Sequence, residues 1–181
     1  MQRALVEQAI GGDHDAFSEL VRQSSRKLFA VATLILRDRT RAEDATQEAL
    51  VAAWRDLSGL RDPDRFEAWL HRVLVRECYR AAKRERRRVE MEGQVQPLGP
   101  SDDPGHVQAV RDELERGFAR LPIDQRTVLV LHHYAGYTFP EIAETLGIPV
   151  GTAKSRVHRA TSAMRAALTA DARTPLGGTS A

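Results

Sequence analysis

From Val150 to Ala170 the chain contains no aspartate or glutamate, and Lys154, Ser155, His158 and Arg159 fall on one side of a 3.6-residue repeat within that stretch. These side chains offer hydrogen-bond donors of the type that meet base edges and phosphate oxygens, and no acid on the helix repels a polyanion. Gly151, Thr152 and Ser162 share that side. Ala153, Val157, Ala160 and Met164, about 100° apart from residue to residue, make a narrow apolar stripe that must pack inward. A basic helix face alone is more often an ordinary solvated one, so the capping and turn before it have to decide. Other chemistry has little footing. His132 and His133 are adjacent and point about 100° apart on a helix, and no second His or Cys cluster stands at ligand spacing. Cys78 sits in an apolar helical pattern with no base signalled nearby, and neither a phosphate-cradling glycine loop nor a nucleophile elbow occurs. No catalytic residue, no metal and no cofactor is therefore expected.

The element that must position this face is a second helix entered through a tight turn. Thr138 followed by Glu141 is a capping box, opening a helix at Phe139 or Pro140 that runs through Ile142, Ala143 and Leu146. Gly147 ends it, and Pro149 starts the next helix without using a backbone donor, with Gly151 and Thr152 keeping its first turn slim. Two short helices around such a turn read as a helix-turn-helix.

The formal net charge of +2 hides a segregation. Arg76, Arg80, Lys83, Arg84, Arg86, Arg87 and Arg88 stand against only Glu77 and Glu85, whereas Glu90, Glu92, Asp102 and Asp103 have no Lys or Arg among them as far as His106. Polyanion contact is thus local. Aromatics are only 6% and no run of alternating β-branched residues is bounded by turns, so the chain is expected to be all-α, built as small aliphatic-cored helical domains. The segment Gly93 to Gly105 concentrates Pro, Gly and acids and reads as a flexible tether. The expected division is a domain over 1–89, a linker over 90–106, a second domain over 107–170 containing the helix-turn-helix, and a disordered tail over 171–181. No apolar leader precedes the first domain and no window approaches 18 apolar residues, which leads to a cytoplasmic expectation.

Within the first domain, Asp13 caps a long helix from about His14, and Asp38 to Thr40 breaks it. Thr40 and Glu43 form a second capping box ahead of a helix through Ala45, Leu50, Ala53 and Trp54. After a loop from Ser58 to Asp62, the pair Asp62-Pro63 opens a last helix with Phe66, Trp69, Leu70, Val73, Leu74 and Cys78 inward. Its outer side carries Arg72, Arg76, Tyr79, Arg80, Lys83 and Arg87, a basic stripe with one aromatic, suited to tracking phosphates beside an unstacked base. In the second domain Val107, Val110, Leu114 and Phe118 mark one helix, and Thr127 to Tyr134 the middle of the next.

The run GIPVGTAKSRVHRA from Gly147 to Ala160, with the LP turn at Leu121-Pro122 before it, resembles the promoter-reading C-terminal domain of bacterial RNA polymerase sigma factors of the extracytoplasmic-function (ECF) group. A related motif closes many response regulators, but Arg41 to Trp54 also resembles the segment of sigma domain two that docks on the clamp helices of the polymerase. Leu50 stands where the family commonly has Phe, and Arg76 where many members have Asn. The resemblance implies core polymerase and promoter DNA as partners, an anti-sigma protein as a possible third, and no membrane insertion. It also implies that Asp44, Gln47 and Glu48 lie at the polymerase surface. Arg72, Arg76, Arg80 and Lys83 would meet the minus-ten element, with the Ser58 to Asp62 loop capturing a base. Lys154, Ser155, His158 and Arg159 would read the minus-thirty-five element, with Thr152 and Arg156 on its backbone. The rival from another class is an autonomous helix-turn-helix regulator acting without polymerase.

Overall fold

The structure, a computed structural model, describes residues 2–92 and 116–172. The expected tether from Gly93 to Gly105 with Asp102 and Asp103, the positions Val107, Val110 and Leu114, and the tail from Thr174 lie outside the described residues. Among those described there is no strand. Helices α1 (Gln2–Ile10), α2 (His14–Leu36), α3 (Arg39–Asp56) and α4 (Phe66–Glu92) form the first domain. Residues 116–120 are helical, and α5 (Ile123–Leu129), α6 (Phe139–Leu146) and α7 (Val150–Ala172) complete the second.

Local chemistry explains the boundaries. The Asp13 carboxylate accepts from the backbone of Asp15 and Ala16, satisfying two of the donors that open α2. That helix ends at Arg37, which takes the left-handed conformation (φ 56°), alone among the described non-glycine residues. The cap of α3 differs from the sequence expectation: Asp38, not Thr40, is the cap, accepting from the Arg41 N–H at 2.8 Å, and Glu43 pairs with Arg39 instead of reaching back. A carboxylate two residues earlier outcompetes the hydroxyl, because an ionised acceptor makes the stronger hydrogen bond. The helix α1 was not foreseen; its Val6 and Ala9 are sealed into the core.

The first core is formed where α2, α3 and α4 meet. Leu20, Leu28, Val31 and Ile35 of α2 and Phe66, Leu70 and Leu74 of α4 are enclosed. From α3 come Ala42, Ala45, Ala49 and Ala53, all with no exposed surface. Methyl groups at this spacing let the neighbouring helices approach closely. In the second domain Val128, Leu131, Ile142, Ala153, Val157 and Ala160 are buried. The chain leaves α5 through a five-residue π-helical turn, Val130–Tyr134.

The two domains touch. The Arg126 guanidinium of α5 donates from Nε to the Ile35 carbonyl at 2.9 Å, supplying a partner to one of the last carbonyls of α2. It also donates to Leu121 O at 3.1 Å, and burial lowers its pKa. The Tyr137 hydroxyl lies 2.9 Å from His71 Nδ1, and Glu144 of α6 accepts from Arg65 and Arg72 at 2.8 and 3.2 Å.

Candidate nucleic-acid interface

The helix-turn-helix is built as its punctuation requires. Thr138 Oγ1 accepts from the Glu141 N–H while the Glu141 carboxylate accepts from the Thr138 N–H, closing the capping box. The Thr138 hydroxyl donates to the same carboxylate at 2.7 Å, and that bond, with the backbone one, holds the Glu141 carboxyl below its ordinary range. Gly147 takes φ 64°, where a side chain would be strained, and its N–H returns to the end of α6. Pro149 then accepts from the Thr152 and Ala153 N–H groups at the start of α7.

With Ala153, Val157 and Ala160 buried, α7 turns Lys154, Ser155, His158 and Arg159 to solvent as one face. Thr152 and Arg156 flank it, half-buried. The Ser155 hydroxyl donates to the Thr152 carbonyl at 3.0 Å, so its free lone pairs are left to accept, as a base amino group would require.

On α4 the exposed edge is narrow. Arg72, Arg76, Arg80 and Lys83 are exposed, while His71, Val73, Leu74, Val75, Glu77, Cys78 and Ala81 are covered. Three of the four cations already have carboxylate partners. Arg72 meets Glu144, Arg76 lies 3.7 Å from Asp56 and 3.4 Å from Glu77, and Arg80 donates to Glu77 at 2.8 Å. Two expectations fail here. Tyr79 is not on the exposed stripe but half-buried, its hydroxyl bonded to Thr127 and its pKa raised, chiefly by burial. Ser58 to Asp62 is not a plain loop: Leu57–Gly59 forms a 3₁₀ turn, closed by Leu60 N–H to Leu57 O, because Leu57 and Leu60 both insert into the core. Ser58, Gly59, Arg61 and Asp62 remain exposed.

Helix α3 buries Ala42, Ala45, Ala49 and Ala53 and exposes Asp44, Gln47, Glu48 and Val51 along one ridge. Glu48 receives the Arg84 guanidinium on both oxygens, at 3.2 and 2.9 Å, which cross-links α3 to α4. Trp54 packs its ring against His14 and Phe17. Sequence reasoning missed the burial of Glu77, since a lone acid in a basic run reads as solvated. It also missed the bridging Arg126, whose partner lies 91 residues away.

A helix-turn-helix whose second helix has an acid-free outer face, joined to a helical domain with a separate basic edge, is the architecture of a DNA-binding protein. Residues 20–88 match the family Sigma-70 region 2, and residues 111–164 match Sigma-70, region 4. The ECF RNA polymerase sigma factor SigM of Mycobacterium tuberculosis is 32% identical over 160 residues, covering 83% of this chain and 76% of that protein. The RNA polymerase sigma factor CnrH of Cupriavidus metallidurans is 34% identical over 183 residues, covering 93% and 95%. Among solved structures, CnrH in complex with the cytosolic domain of CnrY superposes with a TM-score of 0.68 at 30% identity, covering 94% of this chain and 98% of that one. The sigma factor RpoE in complex with the anti-sigma factor NepR from Bartonella quintana gives 0.70 at 26% identity, covering 86% and 98%. The chain belongs to the ECF-type RNA polymerase sigma factors, alternative sigma factors that direct transcription initiation. The autonomous-regulator alternative is not favoured, because both sigma regions are present in order. Among the described residues no helix is long and apolar enough to cross a membrane.

Proposed function

We propose that the chain works as a non-catalytic initiation subunit in the cytoplasm, with three surfaces that divide the task. The α3 ridge of Asp44, Gln47 and Glu48 docks on core polymerase, offering carboxylates and an amide to a basic, polar partner. The α4 edge of Arg72, Arg76, Arg80 and Lys83 follows the minus-ten strand as the duplex opens, its guanidiniums meeting phosphates. Lys154, Ser155, His158 and Arg159 read base edges of the minus-thirty-five element, with Thr152 and Arg156 against the backbone. The observation that carries this reading is the segregation of exposure. Each group of residues lies on its own solvent face, and each face is backed by a buried apolar stripe.

The domains span 1–89 and 107–170 in this reading, with residues 90–106 as tether and 171–181 as tail. Such a tether lets the domains separate for two DNA contacts and come together around an inhibitor. An anti-sigma protein is the natural inhibitor, since the related RpoE is found in complex with one. Run-off transcription with purified core polymerase tests the function. Promoter-specific transcripts should require the chain, and DNA binding without any effect on transcription would return the autonomous regulator.

A further inference from the structure

We propose that Glu77 is a positioning residue: its buried carboxylate sets the guanidiniums of Arg76 and Arg80 at the DNA-facing edge of α4. This rests on the reading that the edge meets the minus-ten strand. Glu77 is 3% exposed and is the one buried acid among the described residues. Burying a carboxylate is costly unless it is paired and hydrogen-bonded. Its partners are both surface groups: Oε1 accepts from Arg80 Nη1 at 2.8 Å and from Arg76 Nε at 3.4 Å, while Arg76 Nη2 also lies 3.7 Å from Asp56 at the end of α3. The two guanidiniums therefore share one enclosed carboxylate oxygen as their anchor.

The other ion pairs on this helix differ. Arg72 with Glu144, Arg84 with Glu48 and Arg86 with Glu90 have both members well exposed, and even Glu85, the partner of Arg88, keeps 28% of its side chain exposed against 4% for Glu77; exposed pairs hold side chains loosely. The Arg80 Nε and Nη2 groups have no partner among the described residues, so the anchored fork keeps donors for a phosphate oxygen or a base. An arginine ordered during folding does not have to be ordered again when DNA arrives, which favours the correctly spaced strand over others.

A bare charge effect predicts the opposite pattern, which makes the inference testable. Glu77→Gln removes one negative charge beside DNA, so electrostatics alone would tighten binding to every sequence and steepen the salt dependence. Positioning predicts instead that discrimination between matched and mismatched minus-ten elements falls by about twofold to tenfold, the worth of one ordered side chain. Open-complex formation by the holoenzyme should slow, and discrimination at the minus-thirty-five element should stay unchanged, which also reports that the variant is folded. Arg80→Lys is the second variant: it keeps the charge on an exposed site but replaces the fixed fork with a rotatable ammonium, and it should lose minus-ten discrimination likewise. Uniform tightening by Glu77→Gln, or Lys serving as well as Arg at position 80, overturns the proposal. Alanine at both Arg72 and Lys83 separates the two layers. If that variant opens promoters normally, the α4 reading fails and takes this proposal with it. If it is impaired while the Glu77 and Arg80 variants are not, only the positioning role of Glu77 falls.

Discussion

Replacing Glu144 by Ala should loosen the contact between the two domains. One oxygen of Glu144 accepts from Arg65 and Arg72, and the three side chains are between 43% and 59% exposed. Exposed pairs are worth about 0.2–1 kcal/mol each; two would sum to about 0.4–2 kcal/mol, and because they compete for one oxygen the pair together is worth about 0.5–1.5 kcal/mol. That is about a twofold to tenfold shift from the closed toward the open arrangement. The contact is not abolished, because Tyr137 against His71 and Arg126 on the Ile35 carbonyl are untouched. The shift is to be read by energy transfer between dyes on Ser58→Cys and Ser162→Cys, both exposed positions. Cys78, the one native cysteine, need not be removed: it is buried and its thiol is pushed up to about 12, so it does not compete for label. The variant should show more low-transfer molecules at low salt, and the difference should shrink toward 1 M salt, where charges are screened within about 3 Å. An unchanged distribution, or one equally shifted at 1 M, would refute the electrostatic account.

Three further outcomes are expected. Thermal stability should depend on pH: burial, with Lys27 adding to it, lowers the His71 pKa from 6.5 against the pull of the Glu67 carbonyl and carboxylate. The folded chain thus binds fewer protons than the unfolded one, so this part of the stability is fully present above pH 6.5 and is lost as pH falls through the lowered value; His71→Gln should flatten that response in melting curves, and a slope that persists would place the titration elsewhere. Lysine at both Asp44 and Glu48 should weaken holoenzyme assembly on native gels with helical content retained by circular dichroism, and assembly equal to the parent would remove the docking role from the α3 ridge. Alanine at Lys154 or Arg159 should flatten preference among minus-thirty-five variants, each base contact being worth about 1–3 kcal/mol; an equal fall on all sequences in a binding titration would make them phosphate contacts only.

The helix-turn-helix was legible because its signals are local. Thr138 and Glu141 are three residues apart, Gly147 needs its own conformation, and the acid-free face of α7 follows from helical period alone. The all-α class and the inward stripe of α4 were legible for the same reason. What escaped depends on groups distant in sequence or on competition between near neighbours. Asp38 displaced Thr40 as a cap because two acceptors lay within reach of one helix start. Tyr79 reads as exposed in a basic stripe until α5 brings Thr127 against it. Glu77 carries the same letter as the half-buried Glu85 two turns on, and only the packing of the folded domain closes it off completely. The contacts of Glu144 with Arg65 and Arg72 span 79 and 72 residues, beyond the reach of any periodicity.

The four buried alanines of α3 give that helix two faces with unequal freedom to change. Ala42, Ala45, Ala49 and Ala53 have no room for an added methylene, since overpacking a filled core costs about 1–3 kcal/mol. Any larger residue there would push the helix axis outward and move every group on its far side. Asp44, Gln47 and Val51, turned to solvent on that far side, can exchange side chains without shifting the axis, whereas Glu48 is tied to Arg84 of α4. Position and identity are thereby separated within 18 residues: one face holds the exposed ridge at its place against α4, and the other is open to revision by mutation. Affinity for a partner at that ridge can drift by single substitutions while the spacing between the ridge and the basic edge of α4 stays constant.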